Sequence, residues 1–336
     1  MNTVNITGEA LAEALSSAWQ TVEIKDVEPL HGGQWASMAH VRLAHVPPHV
    51  PEEVVVRVVP DALMGAKELA VQSAVADAGV ATPHIHLTGQ SGGSLGGAWA
   101  VMDYVDGRQL LAGFDGVAAI RQLPLLLRRL PRQLAATMTA IHGIDPEPIV
   151  ERVRAAAPRA ALRIDEIWHH LHAASGPFDS LRSALEHLRK TMPSQGRAVV
   201  CHGDFHPFNL LIDDAGKVTV LDWTGAAIAP AAFDVAFTGL LLRNPPLDAP
   251  SFLRPAISAG ARVLAGRFLR TYHSLNRQAD LDDLGWYVAL HASRVLLDLG
   301  TWRAEDDERA ESHPWRLVAP GAARTLHRVT GVNVAV

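Results

Sequence analysis

Short strand-like runs of apolar residues recur over much of the first hundred residues. Between these segments lie glycine- and proline-rich turns, which end strands and reverse the chain. The strand-like segments are 22–30, 38–46, 53–59, 84–88 and 98–105. Helical spacing occurs at 8–19 and at 66–78. The pattern predicts an antiparallel sheet whose first three strands are consecutive, with one helix before those strands and one after them.

Beyond Gly107 the spacing of apolar residues becomes mostly helical. The predicted helices are 125–143, 149–174, 179–192, 231–243, 252–276 and 280–303. Three short strand-like segments interrupt them, at 198–201, 209–212 and 218–222. The sequence therefore predicts an α+β protein, with a β-rich lobe at residues 1–105 and a mostly helical lobe at 106–336. A cleft between two unequal lobes is a common place for a ligand site.

The 336 residues carry a net charge of −5, which argues against nucleic acid as a partner because such proteins usually present a basic face. Cys201 is the single cysteine, so no internal disulfide can form, as is usual in a reducing cytoplasm. Residues 1–15 lack the basic and apolar regions of a signal peptide, and no apolar run matches the length of a membrane span. We expect a cytoplasmic protein with no membrane partner, as a monomer or a homodimer.

The segment 199–212 contains the most informative arrangement of polar residues in the chain. An apolar strand leads into Asp204, and Asn209 follows five residues later at the start of another strand. The next strand ends at Asp222, so three oxygen-bearing side chains fall at neighbouring strand ends. Mg²⁺ prefers oxygen ligands of this kind. Phosphoryl transfer needs both Mg²⁺ and a group that orients the attacking hydroxyl, and this set supplies both.

Each of these residues also has a plainer interpretation. Asn209 and the pair Asp213-Asp214 are ordinary turn formers, and His202 could simply pack in a core. Cys201 fits a buried strand residue better than a nucleophile. The ordered set favours the catalytic interpretation, because its spacing and its strand context agree.

The order of these residues resembles the aminoglycoside phosphotransferase-like superfamily, which is related to the eukaryotic protein kinases. The matching segments are His202-Gly203-Asp204, Asn209, the strand end Asp222-Trp223 and Ala232-Phe233-Asp234-Val235-Ala236. The resemblance implies a bilobal protein kinase-like fold, with Asp204 as the catalytic residue and with Asn209 and Asp222 as the Mg²⁺ ligands. It also implies that His202 and Asp234 support the catalytic loop.

The resemblance further implies ATP as the phosphate donor. Kinases of this kind carry a cation on the third strand and a glutamate on the following helix. Arg57 stands where a lysine is usual, and Glu68 is its expected partner; the alternative is a strand arginine that faces solvent. The other implied nucleotide contacts lie in the phosphate-covering loop and the inter-lobe hinge: Gly32, Gly33, Ser37, Met102, Asp103, Tyr104 and Val105.

Only eleven residues separate Asp222 from Asp234, too few for the peptide-docking segment of a protein kinase. We therefore expect a small-molecule acceptor, bound by the C-terminal helices. The candidate acceptor contacts are Asp282, Asp283 and Trp302, with His291, Arg294 and Asp298 on the helix between them. Solvated helix faces and core packing are the alternatives for these residues.

Three functions fit these features to different degrees. The first is an ATP- and Mg²⁺-dependent kinase that acts on a hydroxyl of an aminoglycoside, another antibiotic, a sugar or an amino alcohol. The second is a nucleotide-binding pseudokinase or scaffold without turnover, which has little need for Asp204, Asn209 and Asp222 together. The third is a metal-dependent hydrolase using His202, Asp204 and His206, disfavoured because further ligands at metal-like spacing are lacking. The sequence does not separate ATP from GTP.

Overall fold

A computed structural model gives the structure of the protein. It describes residues 4–30, 36–90, 93–110, 116–194, 196–248 and 250–335, with side chains left out at 116–126. The chain divides into two compact units. The first consists of residues 1–109, 147–160 and 209–225, and the second of residues 110–146, 161–208 and 226–336.

The first unit is built on a five-stranded antiparallel sheet. Its strands are β1 (Glu23–Leu30), β2 (Ser37–Ala44), β3 (Glu53–Val59), β4 (Ile85–Gly89) and β5 (Ala98–Asp103). Their order across the sheet is β1-β2-β3-β5-β4. The sequence prediction of three consecutive antiparallel strands is confirmed, because β2 pairs with both β1 and β3.

Strand β3 sends alternate side chains to opposite faces of the sheet, as the pleat requires. Val54, Val56 and Val58 are buried in a core that also holds Leu11 and Leu15 of helix α1 (Gly8–Ser16). The intervening residue Arg57 therefore faces the other side.

Helix α2 (Ala62–Asp77) covers that other face of the sheet. Its Gly65 lies so close to Val59 of β3 that an added Cβ would come within 3.0 Å of the Val59 Cβ. The helix begins four residues earlier than the periodicity predicts, because the Asp61 side chain caps it by accepting the Met64 N–H at 2.8 Å.

Four shorter elements complete the first unit. They are β6 (Arg108–Gln109), α4 (Glu147–Ala156), β8 (Leu210–Ile212) and β9 (Val218–Val220). β8 pairs with both β6 and β9. Arg152 of α4 reaches Asp77 at the end of α2, with an Nη1–Oδ2 distance of 2.7 Å.

The second unit is mostly helical. Its helices are α3 (Gly116–His142), α5 (Ile164–Ala174), α6 (Asp179–Lys190), α7 (Ala232–Arg243), α8 (Arg254–Leu275), α9 (Leu284–Ala304), α10 (Arg309–Ser312) and α11 (Trp315–Thr330). Strands β7 (Ala198–Cys201) and β10 (Ala227–Pro230) form an antiparallel pair. Helix α9 is buried along most of its length and packs against α7 and α11. No helix among the described residues is at once long enough and apolar enough to cross a bilayer.

The α+β class predicted from the sequence is confirmed, but some elements differ. The single helix predicted at 149–174 is two helices, α4 and α5, because Pro158 cannot continue a helix. Strands β6 and β10 and helices α10 and α11 were not predicted. Pro320 lies within α11 and obscures its helical pattern in the sequence. The division into lobes at residues 1–105 and 106–336 stays a prediction.

Candidate active site

Asp204 lies in the loop that follows β7, in the second unit. Both of its carboxylate oxygens have a basic neighbour. Oδ1 accepts a hydrogen bond from Nη2 of Arg294 at 3.0 Å, and Oδ2 lies 3.3 Å from Nε2 of His206. Nη1 of Arg294 also donates to the Gly203 carbonyl at 2.7 Å, so one side chain fixes both the backbone and the carboxylate of the loop.

These contacts decide the charge of Asp204. Burial alone raises the pKa of a carboxyl group, but the adjacent His206 and Arg294 outweigh it and hold the pKa of Asp204 well below its ordinary value. The carboxylate is therefore ionised at neutral pH. A carboxylate with so low a pKa is a weak base, and because it is ionised it can accept a hydrogen bond.

Asp234, at the start of α7, holds the backbone of the same loop. Its two oxygens accept the N–H groups of His202 at 2.7 Å and Gly203 at 2.6 Å. Gly203 has a φ of 73°, a left-handed conformation that suits glycine. Asp234 is fully buried, and His142 keeps its pKa low although burial opposes this. The carboxylate thus has the contacts that a loop-supporting residue needs.

The sequence did not single out His142, which extends this buried network. Its Nε2 lies 3.1 Å from Asp234 and its Nδ1 lies 2.6 Å from the Tyr272 hydroxyl. The Asn276 amide donates to that hydroxyl at 2.9 Å. A histidine at a helix end carries no distinctive sequence signal, and only the fold brings it to Asp234.

His202 serves the loop through its backbone and its packing. Its ring is buried, its Nδ1 accepts the Asp204 N–H at 3.3 Å, and its edge meets the ring of Phe205. Both sequence-based expectations for His202, loop support and packing, therefore describe its contacts.

Arg57 and Glu68 form a buried ion pair in the first unit. Nε of Arg57 lies 2.8 Å from Oε1 of Glu68, and Nη2 donates to Oε2 at 3.2 Å. Arg57 is 5% exposed and Glu68 is fully buried, so the alternative of a solvent-facing arginine is wrong. Burial raises the pKa of Glu68 to about 7, although the Arg57 guanidinium opposes that shift.

Asn209 and Asp222, the predicted metal ligands, flank the β8–β9 hairpin. The Leu221 N–H donates to the Asn209 carbonyl at 2.8 Å, and the adjoining residues pair across the two strands. The backbones of Asn209 and Leu221 are thus adjacent, one residue from Asp222. A carboxylate and an amide oxygen are donors that suit Mg²⁺.

The backbone of Asp222 is left-handed, with a φ of 60°. Its Oδ1 accepts both the Thr224 hydroxyl at 2.6 Å and the Thr224 N–H at 3.3 Å, and its Oδ2 lies 3.4 Å from Nη2 of Arg57. Residues held in sparsely populated conformations cluster at functional sites. Thr224, which fixes this carboxylate, was not identified from the sequence.

Three hinge residues, Asp103, Tyr104 and Val105, line a cavity of about 380 Å³ in the first unit. Asp103 is fixed by the His84 N–H at 3.0 Å and by His86 Nε2 at 2.7 Å. Tyr104 stacks on the His40 ring with a centroid distance of 4.2 Å.

Two other residues of the predicted nucleotide site, Met102 and Ser37, are not among those that line that cavity. Met102 is buried, with its sulfur 3.4 Å from the Gln72 amide. Ser37 begins β2 and pairs with Val58. Gly32 and Gly33 lie outside the described residues.

The three predicted acceptor residues lie more than one helical turn along the chain from Arg294. Asp282 and Asp283 are exposed just before α9, and Asp283 precedes Arg294 by eleven residues, or roughly 16 Å along a helix. Trp302 follows Arg294 by eight residues, roughly 12 Å away. It is 2% exposed and packs between Arg309 and His313. Arg294 is the helix residue that reaches the catalytic loop.

Residues 26–254 match the model of the phosphotransferase enzyme family (APH). The chain belongs to this family. A curated relative, clavilactone A biosynthesis cluster protein Y from Ampulloclitocybe clavipes, is 30% identical over 227 residues. That match covers 59% of the chain and 54% of the relative, so the chain spans about half the length of the curated relative it matches.

Solved structures of other phosphotransferases share the fold. One, from Ralstonia eutropha JMP134 and assigned as an aminoglycoside phosphotransferase, has a TM-score of 0.65 at 17% identity, covering 98% of the chain and 99% of its own. APH(4)-Ia with ADP and hygromycin B has a TM-score of 0.58 at 16% identity, covering 95% and 98%. Spectinomycin phosphotransferase APH(9)-Ia with ADP and spectinomycin has a TM-score of 0.60 at 14% identity, and the match covers 95% of the chain and 98% of that structure. The predicted kinase-like fold is confirmed.

Proposed function

We propose that the protein transfers the γ-phosphoryl group of ATP to a hydroxyl of a small molecule, with Mg²⁺ as cofactor. The observation that carries the proposal is the catalytic loop, in which Asp204 is held ionised between Arg294 and His206 while Asp234 fixes the backbone. Family membership supports the same chemistry.

Asp204 orients the acceptor hydroxyl by accepting its hydrogen bond. Phosphoryl transfer proceeds through a loose transition state in which positioning and electrostatics matter more than proton abstraction. A carboxylate with a lowered pKa fits this role, because it stays ionised and does not need to take the proton early. Late in the step the hydroxyl proton passes to Asp204 and from there to solvent. The new phosphate ester bond forms and the bond between the β- and γ-phosphates of ATP breaks, which releases ADP.

Asn209 and Asp222 are the residues that would hold Mg²⁺, which when bound neutralises charge on the phosphates of the nucleotide. Thr224 fixes the Asp222 carboxylate through two hydrogen bonds, so the ligand is oriented before the metal arrives. Arg57 is held by Glu68 and contributes a fixed positive charge to the phosphates.

The hinge is proposed to receive the adenine. Backbone groups near Asp103–Val105 would bind the base, and the cavity that these residues border supports this placement. Neighbouring folds bind ADP, and some bind AMP-PNP, which supports a nucleotide as the donor. We further propose a cytoplasmic protein, monomeric or homodimeric, that engages neither nucleic acid nor membranes.

The experiment measures ADP release from Mg·ATP over a panel of hydroxyl acceptors for the wild type, Asp204→Asn and Asp214→Asn. Asp214 is an exposed turn residue and serves as the matched control. We expect the Asp204 variant to lose about 10²–10⁴-fold in rate, as for loss of a positioned catalytic side chain. It should keep its stabilisation by Mg·ATP, and the Asp214 variant should match the wild type.

Normal turnover by Asp204→Asn would remove this residue from the reaction. The scaffold alternative predicts a different result, in which Mg·ATP raises the melting temperature of the wild type but no acceptor releases ADP.

A further inference from the structure

The charge beside Asp204 bears on the acceptor that the site takes. Nη2 of Arg294 lies 3.0 Å from Asp204 Oδ1, and the Arg294 side chain remains 26% exposed. Its guanidinium carbon sits 5.2 Å from the centre of the Phe237 ring, which keeps it in place. An acceptor hydroxyl that hydrogen-bonds to Asp204 therefore also comes within reach of the partly exposed Arg294 guanidinium. Asp204 occupies one side of that guanidinium, and its exposed part can pair with a carboxylate or phosphate on the acceptor.

The net charge of the helical unit is positive, like the charge of Arg294. Residues 110–146, 161–208 and 226–336 contain 21 lysines and arginines and 18 aspartates and glutamates, a balance of +3. The other unit contains 9 lysines and arginines and 17 aspartates and glutamates, a balance of −8. A positive unit raises the local concentration of anions and lowers that of polycations.

Three carboxylates of this unit are distant from Arg294 or already paired. Asp282 and Asp283 lie roughly 16 Å along α9 from Arg294. Asp307 is engaged by Arg309, with an Nη2–Oδ2 distance of 2.6 Å.

Asp298 is the carboxylate that follows Arg294 by one helical turn, and it is directed elsewhere. Its Oδ2 accepts the indole N–H of Trp315 at 3.2 Å. Burial raises its pKa, and Arg294 opposes that shift. Asp298 is thus bonded to Trp315 rather than presented to an acceptor.

Resting on the phosphotransferase activity proposed above, we infer that the acceptor is an anionic hydroxy compound, such as a hydroxy acid or a phosphorylated alcohol, and that Arg294 selects it. Amine-bearing acceptors are disfavoured, including polycations such as hygromycin B.

The test uses two series of acceptors that share a carbon skeleton and differ in charge. One is gluconate, glucose and glucosamine, and the other is glycerate, glycerol and serinol. Label transfer from radiolabelled ATP gives kcat/KM, and the melting temperature with Mg·AMP-PNP gives binding without turnover. The anionic member of each series should exceed the cationic member by about tenfold or more, the equivalent of about 1.4 kcal/mol.

Variants of Arg294 separate selection from stability. Arg294→Gln should remove the difference between anion and cation, and Arg294→Glu should reverse it. Arg262→Glu, the same charge change at an exposed position of α8 in the same unit, should leave the order unchanged. Circular dichroism and the melting temperature of each variant show that it folds.

Three results would overturn the inference. They are a wild type that prefers glucosamine, serinol or hygromycin B, an unchanged order in Arg294→Glu, and neither binding nor turnover of gluconate or glycerate at millimolar concentration. Failure of the proposed function is distinct, because no acceptor would then release ADP. The melting temperatures would still report in that case which charge class binds beside Arg294.

Discussion

At the scale of single residues, the site consists of side chains held by specific neighbours. Asp204 lies between Arg294 and His206, and Asp222 accepts a hydrogen bond from the Thr224 hydroxyl. In each case neighbouring side chains orient the functional carboxylate. Such support fixes geometry before a ligand arrives, which lowers the ordering cost of binding.

Thr224→Val tests the support of Asp222. The change removes the 2.6 Å hydroxyl bond and keeps the shape of the side chain. We expect the concentration of Mg²⁺ needed for nucleotide binding to rise by about 10-fold or more, as for loss of an outer-shell partner of a metal ligand. Titration of Mg²⁺ at fixed AMP-PNP, followed by the melting temperature, measures it. Thr325→Val on α11 is the matched control, and equal Mg²⁺ requirements in both variants would contradict the role given to Thr224.

At the scale of elements, the buried ion pair between Arg57 of β3 and Glu68 of α2 joins a strand to a helix. Removing one partner leaves the other buried and uncompensated, which typically destabilises a protein by about 3–5 kcal/mol. Replacing both with apolar residues of similar size is often nearly neutral. The pair is therefore better explained by a functional need for Arg57 than by stability.

A double-mutant cycle separates these two explanations. Arg57→Met should destabilise the first unit by about 3–5 kcal/mol. Glu68→Leu should cost less, because Asp222 remains 3.4 Å from Arg57. The double variant should recover most of the loss and still lack activity. Urea unfolding and ADP release are the measurements. The exposed pair Arg42 and Asp26 on the same sheet is the control, and its cycle should show a much smaller coupling. An active double variant would contradict a phosphate role for Arg57.

Helix α9 contributes a pH dependence through His291. Its Nε2 donates to the Phe233 carbonyl at 2.9 Å, and burial lowers its pKa to about 3. In the unfolded chain this histidine titrates near 6.5. The unfolded state therefore binds more protons between these values, and stability is lost as the pH falls from about 6.5 towards 3.

The variant His291→Gln should remove that contribution. Its stability should fall less steeply between pH 6 and pH 4 than that of the wild type, by up to about 1.4 kcal/mol per pH unit. Chemical unfolding at a series of pH values gives the slope. His273→Gln, at an exposed position of α8, is the control. Parallel slopes for the wild type and His291→Gln would show that other groups cause the acid sensitivity.

At the scale of the whole molecule, a ligand that binds only the folded state stabilises it in proportion to the logarithm of its concentration. At 100 times its dissociation constant, Mg·AMP-PNP should add about 2.7 kcal/mol to the free energy of unfolding. The gain should shrink in Asp222→Ala and persist in Asp204→Asn. Thermal unfolding over a range of nucleotide concentrations measures it. Equal gains in both variants would remove Asp222 from the Mg²⁺ site.

Much of this picture was predictable from the sequence because the signals are local. An apolar run identified β3, and helical spacing identified most of the helices. The spacing of Asp204, Asn209 and Asp222 indicated phosphoryl transfer, because the chemistry needs those oxygen donors in that order. The break at Pro158 and the helix around Pro320 were missed, since proline weakens a helical pattern whether or not the helix continues.

Tertiary structure alone decided which distant side chains meet. Arg294 and Asp204 are 90 residues apart in the chain, and His142 and Asp234 are 92 apart. No periodicity reports such contacts, because they depend on how helices pack rather than on local conformation. The sequence thus determined the fold class and the chemistry of the loop. The packing determined the charge of Asp204 and the cation beside it, because burial and neighbouring charges exist only in the folded chain.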